Sequence, residues 1–99
     1  MNILITAANS AEAHKLKSKL ALENIILGDY HELPAFMLAA DNMITLPNPA
    51  SLSYTHEMLT LCLDKRINTI YVLRQQELVA LDTAKQLFKE YDIVIVNGF

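Results

Sequence analysis

Two side chains in this sequence could hold an anion or a hydroxyl at a defined place, Asp29 and Arg74. Each follows a short apolar run, Ile25-Ile26-Leu27-Gly28 before the acid and Ile70-Tyr71-Val72-Leu73 before the arginine. A guanidinium presents a planar donor fork that matches a carboxylate or phosphate. An acidic residue after a second strand bonds a ribose hydroxyl in dinucleotide-binding proteins. A third stretch, Ala7-Ala8-Asn9-Ser10, stands where such proteins carry their glycine-rich phosphate turn. On the spacing of that fingerprint the glycine positions become Ala7, Ser10 and Ala13. All are small enough for a tight turn, but each adds a Cβ, and at the middle position it meets an approaching pyrophosphate. The helix after the turn still offers free N–H groups and a positive dipole end. The candidate ligand site is therefore Ala8, Asn9, Ser10, Asp29 and Arg74, fit for a carboxylate or a single phosphate. Its plain alternative is a turn closed by small residues. Glu77, in the first turn after Arg74, caps that helix or touches the same ligand.

Other constellations carry less. Asp29, His31 and Glu32 have metal-ligating side chains, but three adjacent polar residues on a loop are not a ligand set, and no metal is expected. His56-Glu57 opens like a zinc-protease helix, yet Thr60 stands where the second histidine is required. His14 falls on the polar side of its helix and is expected to be solvated. No serine, histidine and acid assemble into a triad. Cys62, the only cysteine, excludes an internal disulfide and lies at core spacing among Met58, Leu59 and Leu61.

Ninety-nine residues, 53% of them hydrophobic and 19% charged, can close one packed core, so one domain over 1–99 is expected. A net charge of −3 gives no footprint for nucleic acid, and Lys15, Lys17 and Lys19 spread around a helix as a solvated face. No run approaches bilayer length and no basic leader precedes one, so no membrane is expected and the location is read as cytoplasmic.

The elements that must position these residues follow from hydrophobic period. Continuous apolar runs at Asn2–Thr6, Asn24–Leu27, Met43–Thr45, Thr69–Leu73 and Ile93–Val96 predict parallel strands covered on both faces. Helical spacing predicts Ala11–Leu22, capped by Ser10 and burying Ala13, Leu16 and Leu20. It also predicts a short helix with Pro34 in its first turn, and a helix from Ser53 to Lys65 with Met58, Leu61 and Cys62 inward. A last helix, Gln76–Tyr91, buries Leu78, Leu81, Ala84, Phe88 and Tyr91. Gly28 and Gly98 mark turns. Right-handed crossovers then give a three-layer, Rossmann-like doubly wound α/β sheet, order 3-2-1-4-5. A receiver-like order 2-1-3-4-5 is the alternative, but it needs acids after strand 1, an aspartate after strand 3 and a lysine after strand 5. Those ends read Ala7-Ala8-Asn9, Pro47-Asn48 and Asn97-Gly98.

The segments Asn2-Ile3-Leu4-Ile5-Thr6-Ala7-Ala8-Asn9, Gly28-Asp29 and Pro34-Ala35-Phe36-Met37-Leu38-Ala39-Ala40-Asp41 come in a familiar order. With Arg74-Gln75-Gln76-Glu77-Leu78 and Leu87 through Ile93, the chain resembles the N-terminal, pre-ATP-grasp domain of ATP-grasp ligases. Carbamoyl-phosphate-synthase-like carboxylate–amine ligases are the nearest pattern. The resemblance implies a Rossmann-like domain that packs beside an ATP-grasp module and helps shape the acceptor-substrate pocket. In that family ATP and magnesium are held mainly by later subdomains, and Phe99 stands where those would begin. The expectation is thus a stand-alone, non-catalytic domain without a cofactor, acting through self-association or a partner protein, possible partners including an ATP-grasp chain. The alternatives are a small-ligand (carboxylate or nucleotide) module, a piece of a split ligase, and an enzyme complete in itself.

Overall fold

The computed structural model describes residues 2–20, 24–31, 35–38 and 43–98. In chain order the elements are β1 (Asn2–Ile5), α1 (Ala11–Leu20), β2 (Ile25–Asp29), α2 (Ala35–Leu38), β3 (Met43–Thr45), α3 (Tyr54–Asp64), β4 (Ile67–Val72), α4 (Gln75–Asp82), α5 (Lys85–Glu90) and β5 (Val94–Asn97). The strands form one parallel sheet in the order β3-β2-β1-β4-β5, the Rossmann-like arrangement expected. Strand order reverses at β1, between β2 and β4, so the carboxyl ends of these three strands frame the crevice where such folds place ligands.

Alternation along the strands feeds two cores. Ile3 and Ile5 of β1, with Ile25 and Leu27 of β2, pack under Ala13, Leu16 and Leu20 of α1. Leu4, Ile70, Val72 and Ile95 point the other way, against Met58, Leu59 and Cys62 of α3 and Leu81 and Phe88 of α4 and α5. Such two-sided burial is what makes the strands read as unbroken apolar runs. Leu61, expected inward with Met58, is only partly buried beside this core.

Strand limits move by one or two residues, and β2 and β4 each move at both ends. β2 runs on through Gly28 and Asp29, because Leu27, Gly28 and Asp29 pair with Met43, Ile44 and Thr45. Gly28 is therefore a strand residue and not a turn. A Cβ there would stand 2.7 Å from Leu46 Cγ, so the glycine makes room for a buried leucine. β4 begins at Ile67, two residues early, since Ile67 pairs with Asn2.

The predicted final helix is two. Thr83 follows α4, its hydroxyl donates to the Ala80 carbonyl, and the Ala84 N–H turns back to Leu81. Ala84 then starts α5, whose first bond is Phe88 N–H to Ala84 carbonyl. The apolar period survives the break through Leu81, Ala84 and Phe88, which is why the sequence reads as one helix. Tyr91 is exposed rather than buried. Asp92 adopts the left-handed conformation (φ 60°) and Ile93 N–H reaches the Phe88 carbonyl, a Schellman end that swings the chain away before Tyr91 can turn inward.

Ser53 stands at the start of α3, but its hydroxyl makes no cap bond, and its own N–H donates to Ser51 Oγ. Leu22, Glu32, Pro34, Ala39, Ala40, Asp41 and Phe99 lie outside the described residues. No helix among the described residues is long and apolar enough to cross a membrane.

Candidate functional site

The turn after β1 stands where such folds carry a phosphate turn, and it contains no glycine. Ala7 is left-handed, φ 56°, a conformation that costs an alanine about 1 kcal/mol and that glycine adopts freely. Ser10 bridges the turn to the helix. Its hydroxyl donates to the Ala7 carbonyl at 2.7 Å and accepts the Ala13 N–H at 3.3 Å, the cap bond expected of it. Ala8 is buried, with its N–H on the Gly28 carbonyl. Its own carbonyl accepts from His14 Nε2 at 3.0 Å, so this exposed histidine is tied to the turn rather than merely solvated. Thr6 is fully buried and its hydroxyl accepts the Leu73 N–H, joining the ends of β1 and β4.

Asp29, at the end of β2, is completely buried. Arg74 reaches it from the end of β4, Nη2 to Oδ2 at 2.8 Å, and the same nitrogen donates to Asn9 Oδ1 at 2.8 Å. The Asn9 N–H donates to Oδ2 at 3.3 Å and the His31 N–H to Oδ1 at 3.1 Å. The guanidinium lies 5.3 Å from the centre of the Tyr30 ring, which in turn stacks on His31 at 4.3 Å. The crevice thus brings Asn9, Asp29 and Arg74 together, with Ala8 and Ser10 as backbone frame. Asp29 neither faces water nor caps a turn alone; it holds three strand ends at once.

Glu77 departs furthest from expectation. It occupies the third position of α4, where a glutamate caps by reaching back to the residue before the helix. Here it makes no such bond. The side chain is fully buried, and neither carboxyl oxygen has a hydrogen-bond partner. Burial pushes its pKa up to about 7. The Thr6 hydroxyl and the Arg74 charge pull it down, and the Asp29 carboxylate adds to the rise. Two more buried polar atoms lack a partner, Tyr54 Oη of α3 and Arg74 Nε. Burial, with Glu77 and Cys62 nearby, holds Tyr54 firmly in its neutral phenol form. Tyr30, Tyr54 and Thr6 escape a sequence reading because their types are common in cores; only their positions at strand and helix ends mark them.

Among the described residues no group of histidine, cysteine and acidic side chains could hold a metal ion. His31 contributes its backbone to Asp29, and that carboxylate already has an arginine. Beside Arg74 and Tyr30 a cavity of about 550 Å³ opens, lined by Tyr30, Asn48, Pro49, Gln75, Gln76 and Val79.

A parallel sheet ordered 3-2-1-4-5 with a capped turn after β1 defines a Rossmann-like α/β module. The turn after β1 is built from alanine, asparagine and serine, and the acid that ends β2 is paired with an arginine. Within that class, the family model for the PylC-like N-terminal domain, of pre-ATP-grasp type, matches residues 3–96, and the chain belongs to this family. No curated protein matches it. Among solved structures it is similar to L-threonine dehydrogenase from Phytophthora infestans, with a TM-score of 0.66 and 11% identity over 96% of this chain and 34% of that one. It is also similar to L-threonine 3-dehydrogenase from Trypanosoma brucei, with a TM-score of 0.61 and 16% identity over 95% of this chain and 35% of that one. At these identities the likeness is one of fold. The chain spans about a third of the length of either dehydrogenase.

Proposed function

We propose that this chain is a non-catalytic pre-ATP-grasp module that works by docking to a protein partner, either an ATP-grasp chain or a second copy of itself. The observation that carries this reading is the closure of the strand-end crevice on itself. In a nucleotide-binding relative of the fold, the acid after β2 is free for a ribose and the first turn is open to phosphate. Here Asp29 accepts from Arg74, Asn9 and His31, and Ala7 and Ser10 carry side chains where glycine would leave space. The arrangement serves as a brace between β1, β2 and β4. The membership in a family of N-terminal domains agrees with a module that acts beside another one.

The test pairs two measurements on the purified chain. Calorimetric titration with magnesium ATP and with a nicotinamide dinucleotide should give no stoichiometric binding. Sedimentation, alone and with an ATP-grasp module added, should show a complex or a self-associated species. Tight one-to-one uptake of either nucleotide, or a monomer that ignores every added module, overturns the reading.

A second reading rests on the cavity beside Arg74. Its amide and phenol groups, next to a partly exposed guanidinium, suit a small carboxylate. A thermal-shift screen of amino and carboxylic acids decides it, since a ligand of the native state raises the melting temperature by mass action.

A further inference from the structure

The brace contains a mismatch that its function as a brace does not explain. Arg74 Nε is a buried donor without an acceptor, and Glu77, three residues on, has two buried carboxyl oxygens without a hydrogen-bond partner, the Thr6 hydroxyl being the one donor that bears on them. Buried polar groups in native proteins are almost always paired, so complementary orphans in one cluster call for a physical account. Arg74 spends one terminal nitrogen on both Asp29 and Asn9. A carboxylate with so few donors is disfavoured in such a place relative to a neutral carboxyl, because burial penalises the charged form. The arrangement suits a neutral Glu77 better than an ionised one.

The groups that face Glu77 determine the response when that proton leaves. From β1 comes the Thr6 hydroxyl, from β2 the Asp29 carboxylate, and from α3 the Tyr54 phenol with Cys62 behind it. Tyr71 of β4 lies in the opposite core, and β5, Val-Ile-Val-Asn, offers no charge. Arg74 is thus the one cation among them. We propose that Glu77 is a proton-binding site that sets the position of Arg74: protonated, it leaves the guanidinium on Asp29 and Asn9; ionised, it draws the guanidinium inward and releases Asn9. The turn from Ala7 to Ser10 then loses its side-chain tie to β4 and keeps its backbone bonds to β2, Asn9 N–H to Asp29 and Ala8 N–H to the Gly28 carbonyl. This does not depend on whether the module docks to a partner or binds a carboxylate.

The test is a nuclear magnetic resonance titration of the full chain. A background of His14→Gln and His31→Gln removes both nearby imidazoles. The Glu77 carboxyl carbon, the Arg74 Nε–H and the Asn9 side-chain amide are followed from about pH 5 to about pH 9, which brackets a carboxyl raised by burial. All three should move with one shared midpoint, and Glu77→Gln should abolish the movement of Arg74 and Asn9. Asp29→Asn guards against a Glu77→Gln variant that does not fold: with its competitor neutral, Arg74 should rest on Glu77 and the Glu77 midpoint should fall by about one pH unit or more. A Glu77 carboxyl that titrates while Arg74 and Asn9 stay still sinks the proposal. So does a carboxyl that remains in one state throughout.

Discussion

Asp29 and Arg74 show how much one buried charge can decide. Asp29 is inaccessible to water and Arg74 about one-fifth exposed, so truncating the arginine strands a carboxylate that keeps only two backbone donors. Removing one partner of a buried pair costs about 3 kcal/mol or more, far above the value of a surface bridge. Arg74→Ala should therefore lower the urea midpoint by that equivalent, and Arg74→Ala with Asp29→Asn should recover part of it. A loss under about 1 kcal/mol would mean that the pair is solvated. Glu77 gives a pH dependence of definite sign. Its folded pKa, about 7, lies above the ordinary value of 4.5, so between the two the folded chain holds a proton the unfolded chain has released. Its contribution to stability is full below the ordinary carboxylate range and is lost as pH rises toward 7. The total is up to about 3 kcal/mol. Chemical denaturation at pH values across that window should show the wild-type chain weakening and Glu77→Gln nearly flat.

At the scale of elements, helix ends and strand contacts carry the testable consequences. Asp92 and Arg66 both sit just past a helix in the left-handed region, at φ 60° and 55°. Glycine at either position relieves a conformation that costs a side chain about 1 kcal/mol, so Arg66→Gly and Asp92→Gly should each raise the unfolding midpoint slightly, the aspartate less because it tolerates that region better. Gly28→Ala should do the reverse, by about 1–3 kcal/mol, because its new methyl overlaps Leu46, and Leu46→Ala should make the substitution cheaper. These elements also divide what is legible in sequence from what is not. Ile3-Leu4-Ile5 and Ile70-Tyr71-Val72 announce buried parallel strands by their unbroken apolarity, and the residues after them fall at the ligand end by topology alone. That logic finds Asn9, Asp29 and Arg74. It fails at Glu77, because a glutamate in the third helical position satisfies a local capping rule, while its actual surroundings, Thr6 and Tyr54, come from other elements. It fails also at Thr83, where no proline or glycine marks the break.

Across the whole molecule, the single thiol reports on cooperativity. Cys62 is fully buried between α3 and the sheet, and burial pushes its pKa up to about 12. Its reaction with a disulfide reagent should therefore proceed through global opening, accelerating with urea in step with loss of helical circular dichroism; labelling at the rate of a small free thiol would show a local breach instead. The position of β1 has a consequence for how the chain is made. The first of these strands to leave the ribosome ends in the middle of the sheet, with β2 on one side and β4 on the other. Half of its hydrogen-bonding edge must wait, bare, until the chain from Gly28 onward has been translated and Ile67–Val72 can close over it. During that interval the nascent chain presents an apolar ledge, the stage at which a holdase chaperone would have most to grip.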